Sequence, residues 1–164
     1  MPTRLLAAAG AGLPERLQDQ PPLWTHNDWH PSNLLWTSDG AVRTVFDFGL
    51  SARTCALHDL ATAIERTAVP WLQLNEPADV DAALAILAGY RTVLPLRRAD
   101  IDTIVRLLPL VHIEFALSEV DYFAGILGDP DQATVAWETY LIGHAEWFLA
   151  PWGRDFLQQL EAVA

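Results

Sequence analysis

Lysine is missing from this 164-residue chain. Its ten basic residues are all arginine, and 21 acidic residues outweigh them to give a formal charge of −11. That balance excludes a nucleic-acid-binding surface, which depends on clustered cationic side chains. It suits either a small cationic substrate or a solvated acidic surface. Cysteine is nearly absent as well. Cys55 stands alone, so no internal disulfide can form, which fits a reducing compartment and a cytoplasmic location. No apolar run approaches the ~18 residues of a membrane span, so no membrane partner is expected. Arg4 with Leu5 to Leu13 faintly resembles a signal peptide, but the stretch also reads as an Ala-rich helix.

What is present points to one folded domain. Half of the residues are hydrophobic and seven are tryptophan, which excludes a disordered tail. The length is enough to bury a substantial core. The chain is organised around His26–Gly49. This stretch runs His26-Asn27-Asp28-Trp29-His30-Pro31-Ser32-Asn33, continues through Leu34 to Thr37, turns on Ser38-Asp39-Gly40, and returns through Val42 to Phe46 into Asp47-Phe48-Gly49. Closing that hairpin brings Asn33 and Asp47 together. A carboxamide and a carboxylate are the oxygen ligands Mg²⁺ prefers when it also keeps waters and substrate phosphates. Asp28, in the same loop, is placed to take a proton from an attacking hydroxyl. A rival reading makes His26, Asp28 and His30 a hydrolase-type metal triad. Against it, Pro31 makes the segment a turn, and no further His or Cys lies close by. Trp29 reads as a hydrophobic plug under the loop, and Phe48 as a packing residue that sets the orientation of Asp47.

His-x-Asp-x-x-x-x-Asn followed by a hairpin and Asp-Phe-Gly resembles the catalytic and metal loops of the kinase fold. The form His-x-Asp-x-His-Pro-x-Asn-Leu-Leu is similar to the aminoglycoside phosphotransferase and choline kinase group, with homoserine-kinase-like enzymes among its relatives. The resemblance implies an ATP- and Mg²⁺-dependent transfer of the γ-phosphate to a hydroxyl of a small molecule, of amino sugar or amino alcohol type. It makes Asp28 the catalytic base, Asn33 and Asp47 the Mg²⁺ ligands, and His26 a prop for the loop. Phe48 and Gly49 complete the metal loop. Asp59 of Asp59-Leu60-Ala61 matches an aspartate that braces the catalytic loop. No residue is assigned to acceptor binding.

The missing lysine returns here. A kinase of this fold uses a strand lysine on the nucleotide phosphates, within a small N-terminal sheet lobe. The residues before His26 show no alternating strands, so residues 1–164 correspond to the C-terminal lobe, with the N-terminal nucleotide lobe absent. The catalytic and metal hairpin occupies 23–49 and a helical substrate lobe 57–163. The fold class expected is α+β, mainly helical. An N-terminal lobe from a longer chain or a second chain is a natural partner, and the face it would cover should be apolar and prone to self-association. The alternative is a kinase-derived binding or regulatory module that is catalytically incomplete. On either reading the isolated chain is expected to be nearly inactive.

In chain order, Thr3–Gly12 predicts a short helix capped at its glycine, and Pro14 starts one more turn. Pro21-Pro22 releases an extended Leu23–Thr25. Residues 50–56 read as an irregular link, and Asp59 as the N-cap of a helix ending near Val69 at Pro70. Arg53 is read as phosphate-binding or as a surface or salt-bridged arginine. Apolar spacing predicts helices over Ala78–Val93, Ala99–Leu127 with a kink or break at Pro109, Asp131–Leu149 and Trp152–Val163. Within this tail Glu114, Glu119 and Asp121 have either substrate roles or solvent exposure, with Arg106 as a salt-bridge partner. His112 lies in strongly apolar sequence and His58 is an unassigned loop histidine.

Overall fold

Pro21, Pro22 and Pro31 keep the stretch before Ala56 out of long helices, and all the strands lie there. The computed structural model describes residues 7 and 9–163. Most of the helix expected over Thr3–Gly12 therefore falls outside the described residues. Gly12 takes the left-handed region (φ 71°) just before α1 (Leu13–Gln18), a conformation glycine adopts at no steric cost. Then come β1 (Leu23–Thr25), a 3₁₀ turn over Pro31–Asn33, β2 (Leu34–Trp36), β3 (Val42–Val45) and β4 (Ala52–Thr54). β2 and β3 form the expected antiparallel hairpin, with Leu34 opposite Val45 and Leu35 opposite Thr44. The alternation along β3 is not matched by burial, because only Val45 is half-buried while Val42, Arg43 and Thr44 are exposed.

β4 corrects the reading of 50–56 as an irregular link. It pairs antiparallel with β1, Thr25 opposite Ala52 and Leu23 opposite Thr54. That partner lies far upstream, so no local pattern announces the strand. The two pairs form separate two-stranded sheets.

From Ala56 onward the described chain is helical: α2 (Ala56–Ala68), α3 (Val80–Arg91), α4 (Arg98–Leu107), α5 (His112–Asp121), a π-helical stretch Tyr122–Leu127, α6 (Pro130–Val135), a second π-helical stretch Ala136–Gly143, α7 (His144–Leu149) and α8 (Pro151–Glu161). The α+β, mainly helical class follows directly. α2 begins three residues before Asp59, with Cys55 as its N-cap, so Asp59 is not the cap. Its side chain is spent elsewhere. Genuine caps occur at α3, where Asp79 accepts from Ala82 N (2.9 Å), and at α6, where Asp129 accepts from Gln132 N (3.0 Å). At α4, Asp100 takes the Arg97 N–H (2.8 Å) and its guanidinium (3.0 Å), which holds the Asp100 carboxyl below the usual range. α4 stops at Leu107, as Pro109 dictates. No helix among the described residues is long and apolar enough to cross a membrane.

The core gathers where α2 meets α3, α4, α7 and α8. Ile64, Leu87, Ile101, Ile104, Leu108, Phe148, Phe156 and Leu160 are all buried there, each worth about 1.5–3 kcal/mol in transfer terms. α8 approaches the end of α7 at Gly153, where a Cβ would meet Trp147 O and stand 2.5 Å from Phe148 Cα. Behind this core, His112 is fully buried with its Nε2 donating to Leu141 O (3.3 Å) and its ring 4.7 Å from that of His144. Burial first, then the neighbouring His144 and Arg66, push His112 down to about 3, with the Leu141 bond opposing.

Two outcomes follow. Gly153→Ala should destabilise by roughly 1–3 kcal/mol, as overpacking does, read as a lower urea midpoint with unchanged slope. His112 is neutral in the fold but binds a proton when unfolded below about 6.5. Stability is therefore full above pH 6.5 and falls as pH drops toward 3, by a few kcal/mol at most. Urea titrations between pH 7 and 4 should show a shallower pH dependence for His112→Gln than for the parent. Equal slopes would refute that assignment.

Candidate active site

The loop between β1 and the 3₁₀ turn is held by its own polar side chains. Asn27 sits at φ 60°, a left-handed conformation uncommon for any residue but glycine and least costly for Asn or Asp. Four contacts pay for that turn: its N–H donates to Asp59 Oδ1 (2.9 Å), its Nδ2 to Leu50 O (3.1 Å), and its Oδ1 receives the hydroxyls of Thr25 (2.8 Å) and Thr54 (3.4 Å). Asp59 thus reaches from the first turn of α2 to the backbone of the loop.

The next link is His26, buried beneath the loop. Its Nδ1 accepts from Asp28 N (3.2 Å), so the ring proton rests on Nε2, which donates to Phe46 O (2.9 Å). One imidazole therefore ties the Asp28 backbone to the end of β3. Trp29 is half-buried with its ring 4.9 Å from His26, and the Phe48 ring stands 4.7 Å away on another side. Phe48 is 61% exposed, so the packing expected of it is against His26 at the surface.

Asp28 is held on both oxygens. Oδ2 accepts from Asn33 Nδ2 (2.8 Å), which also donates to Asp28 O (3.0 Å), while Oδ1 lies 3.1 Å from Arg66 Nε. Both donor bonds of the Asn33 amide go to Asp28, leaving Asn33 Oδ1 as its remaining acceptor. Phe46 N donates to Asn33 O (3.1 Å), so the hairpin ladder carries the chain to Asp47 one residue later. Asp47 is exposed and also left-handed (φ 60°), with Gly49 N 3.4 Å from its Oδ1. A Cβ on Gly49 would stand 3.3 Å from that same oxygen, so the small residue leaves the carboxylate room.

Two cavities open on either side of Asp28. One, about 280 Å³, has Asn33, Arg66, Trp71, Phe115 and Tyr140 in its wall. The other, about 550 Å³, has Asp47, Gly49, Ser118, Glu119, Asp121 and Tyr122. Asp28 and Phe115 are common to both; Asn33 and Asp47 face different ones. The two π-helical stretches supply Tyr140 to the first and Tyr122 to the second, in keeping with the frequency of such wide turns at functional sites. Burial, and secondly the charge of Asp28, raise the Glu119 carboxyl above the ordinary range, while Arg66 works the other way.

The residues missed by sequence reasoning are Asn27, Arg66, Trp71, Phe115 and Tyr140. Arg66 is buried on α2, its Cζ 4.1 Å from the centre of the Phe115 ring and 4.5 Å from that of Trp71. Its spacing from Asp59, two helical turns along α2, was the one available signal. Arg106 does not pair with the tail acids; it donates to Ala11 O (3.1 Å). Glu114 is exposed, and Arg53 is exposed on β4 opposite Trp24. His58 is half-buried in the first turn of α2 rather than in a loop, and burial pushes it down.

Asp47 offers a metal one carboxylate, and Asn33, in the wall of the other cavity, offers a carboxamide oxygen. Among the described residues no group of three or more His, Cys, Asp or Glu is disposed to hold an ion. That sparse donor set fits Mg²⁺, which binds through one or two protein oxygens plus waters and phosphates, and excludes the hydrolase-type triad of His26, Asp28 and His30. His30 instead turns back on Ser32, Nδ1 to Oγ at 2.6 Å.

The clasp predicts a measurable cost. His26→Leu removes both imidazole bonds and leaves the part-buried Phe46 carbonyl and Asp28 N–H without that partner, so urea unfolding should show a loss of about 1–3 kcal/mol with the helical circular dichroism retained. An unchanged midpoint would mean the clasp is not formed in solution.

The sequence model of a phosphotransferase enzyme family matches residues 1–99. No curated protein and no solved structure matches the chain. The match takes in the 26–33 loop, both strand pairs, Asp59 and Arg66, while Phe115, Glu119 and Tyr140 lie beyond it. More than half of the residues fall within the match, and the chain belongs to the phosphotransferase enzyme family.

Proposed function

We propose that this chain carries the acceptor and metal half of an ATP-dependent phosphotransferase acting on a hydroxyl of a small molecule, of amino sugar or amino alcohol type. The observation that carries the reading is the position of Asp28 between two cavities, locked to Asn33 on one side and facing Asp47 across the other. Phosphoryl transfer asks the protein mainly for positioning and charge neutralisation. Asp28 orients the acceptor hydroxyl and takes its proton as the oxygen attacks phosphorus, a role open to it because Oδ2 keeps a second lone pair beside its bond to Asn33 and Oδ1 carries only the ion-pair contact with Arg66. Asn33 Oδ1 and the Asp47 carboxylate would hold Mg²⁺, which supplies neutralising charge to the nucleotide phosphates when bound. His26 and Asp59 keep Asp28 aimed, through the bonds described above, and Gly49 leaves space beside Asp47.

Trp24, Leu35, Trp36, Phe46 and Phe48 stand exposed around the two strand pairs. Such a patch supports docking of a further lobe or chain, or self-association, and a docked lobe would bring the cation for the phosphates that a chain without lysine does not hold. Loss of one preorganised donor costs about 10²–10³ in rate, so the 164 residues alone should turn ATP over very slowly. The buried free thiol of Cys55 supports a reducing, cytoplasmic setting.

Calorimetry with Mg²⁺ and ADP tests the metal assignment on this chain without needing turnover. Asp47→Ala should abolish Mg²⁺-dependent ADP binding while lowering stability in urea by no more than about 1–2 kcal/mol, the cost of alanine in the left-handed region. Binding of equal strength in the variant would refute the role of Asp47. Light scattering at rising concentration should show self-association that Trp36→Glu weakens; a strict monomer throughout would count against the docking face.

A further inference from the structure

The two cavities beside Asp28 differ in chemistry. The wall shared with Asp47 adds Glu119 and Asp121 and contains no cation. The opposite wall holds Arg66 amid Trp71, Phe115 and Tyr140, whose rings pack at 5.3–6.1 Å centre to centre. A metal-bound phosphate belongs with Asp47 and the acceptor beside Arg66; Asp28 and Phe115 line both cavities, and Asn33 lines the Arg66 side.

Arg66 is only 5% exposed and incompletely used. Nε stands 3.1 Å from Asp28 as an ion pair without hydrogen-bond geometry, and Nη1 3.7 Å from Glu65, too far for a hydrogen bond. Nε, Nη2 and both Glu65 carboxylate oxygens thus lack hydrogen-bond partners among the described residues. Trp71 Nε1, also in the wall, is buried without a partner too. Buried donors are nearly always paired, and those left over ask for an acceptor from outside the chain. The Arg66 and Trp71 donors are N–H groups, which a cation cannot satisfy. A cavity of about 280 Å³ lies at the small end of the roughly 300–1,000 Å³ typical of ligand pockets, and its wall includes the rings of Trp71, Phe115 and Tyr140 beside His30, Ser32, Asn33 and Leu72.

Resting on the phosphotransferase reading above, we infer that the acceptor bound in the Arg66–Trp71–Phe115–Tyr140 cavity is a molecule of about one ring in size, with a flat or apolar body and a carboxylate or carbonyl oxygen beside its hydroxyl. The oxygen pairs with the Arg66 guanidinium, the body lies on the aromatic walls, and the hydroxyl points at Asp28. An amino alcohol satisfies this only if it also carries such an oxygen; a polyamine lacking one does not.

The test uses the full chain without nucleotide or metal. 3-(Hydroxymethyl)benzoate and 3-(hydroxymethyl)benzylamine share ring and hydroxyl and differ in the charged group. Binding is followed on the Trp71 indole N–H resonance, identified by its loss in Trp71→Phe. The benzoate should shift that signal saturably and bind at least about tenfold more tightly than the amine, the scale of one hydrogen bond to a charged group. Arg66→Met should erase the preference if it folds. Leu72→Glu, at an exposed position on the cavity wall, should weaken the benzoate selectively without threatening the fold. An amine that binds as well as the benzoate, an unmoved Trp71 signal, or an indifferent Leu72→Glu would each overturn the inference. No phosphate donor is present, so these outcomes are separate from Mg²⁺–ADP binding, whose failure would refute the phosphotransferase reading itself.

Discussion

The contact between Asp28 and Arg66 joins a surface loop to the buried helical body, and much of the site depends on it. Arg66 is taken out of water beside a second carboxylate, Glu65, which is fully buried and faces His144 Nε2. Desolvating charge is costly unless it is paired, and removing one member of a buried pair commonly costs about 3–5 kcal/mol. Asp28, Arg66, Glu65 and His144 therefore form a chain of mutual obligations running from the loop into the core. The aromatic faces of Trp71 and Phe115 complete the guanidinium's surroundings with weaker attraction. Such a chain adds little net stability over an apolar substitute, but it fixes where Asp28 points.

Two strained residues complement that anchoring. Asn27 and Asp47 are the described non-glycine residues at positive φ, and they flank the ends of the β2–β3 hairpin. Backbone in this region persists only when neighbours over-determine it, and it concentrates at functional sites. Asn27 is over-determined by Asp59, Leu50, Thr25 and Thr54. Asp47 is not, since its one intramolecular contact is a long one to Gly49 N. The asymmetry has a simple reading: one turn is locked to aim a proton acceptor, and the other leaves an exposed carboxylate able to adjust to what it holds.

How much of this the sequence shows depends on the range of the interactions. His26, Asp28, Asn33 and Asp47 lie within one local hairpin, so spacing and turn residues are enough to gather them. The long helices follow from apolar period and from Pro and Asp punctuation. What escapes are features made by distant partners. β4 is a strand only because β1 lies beside it, and Asp59 looks like a helix cap until the Asn27 amide arrives opposite. Arg66, Trp71, Phe115 and Tyr140 come from three separate elements and one connecting segment, and no local pattern says that they meet. The π-helical stretches are equally silent, because insertion of a wide turn leaves the apolar pattern of Ala136–Gly143 nearly uniform around the helix.

The charge distribution around Asp28 carries the argument one step further. On the Asp47 side, Asp28, Asp47, Glu119 and Asp121 share a cavity whose wall has no basic residue, and the Glu119 carboxyl is raised by burial first and by Asp28 second. Like charges at such range disfavour one another until a cation enters. A divalent ion on Asp47 and Asn33 would relieve the crowding, and with it the cavity would become hospitable to phosphate. On the Arg66 side the guanidinium supplies a positive charge beside Asp28, so a ligand bearing a carboxylate or carbonyl oxygen can approach there. Asp28 thus stands at the boundary between a wall that needs a cation and a wall that already contains one. On the proposed reading, that boundary would give a phosphoryl donor and its acceptor separate approaches to the same carboxylate.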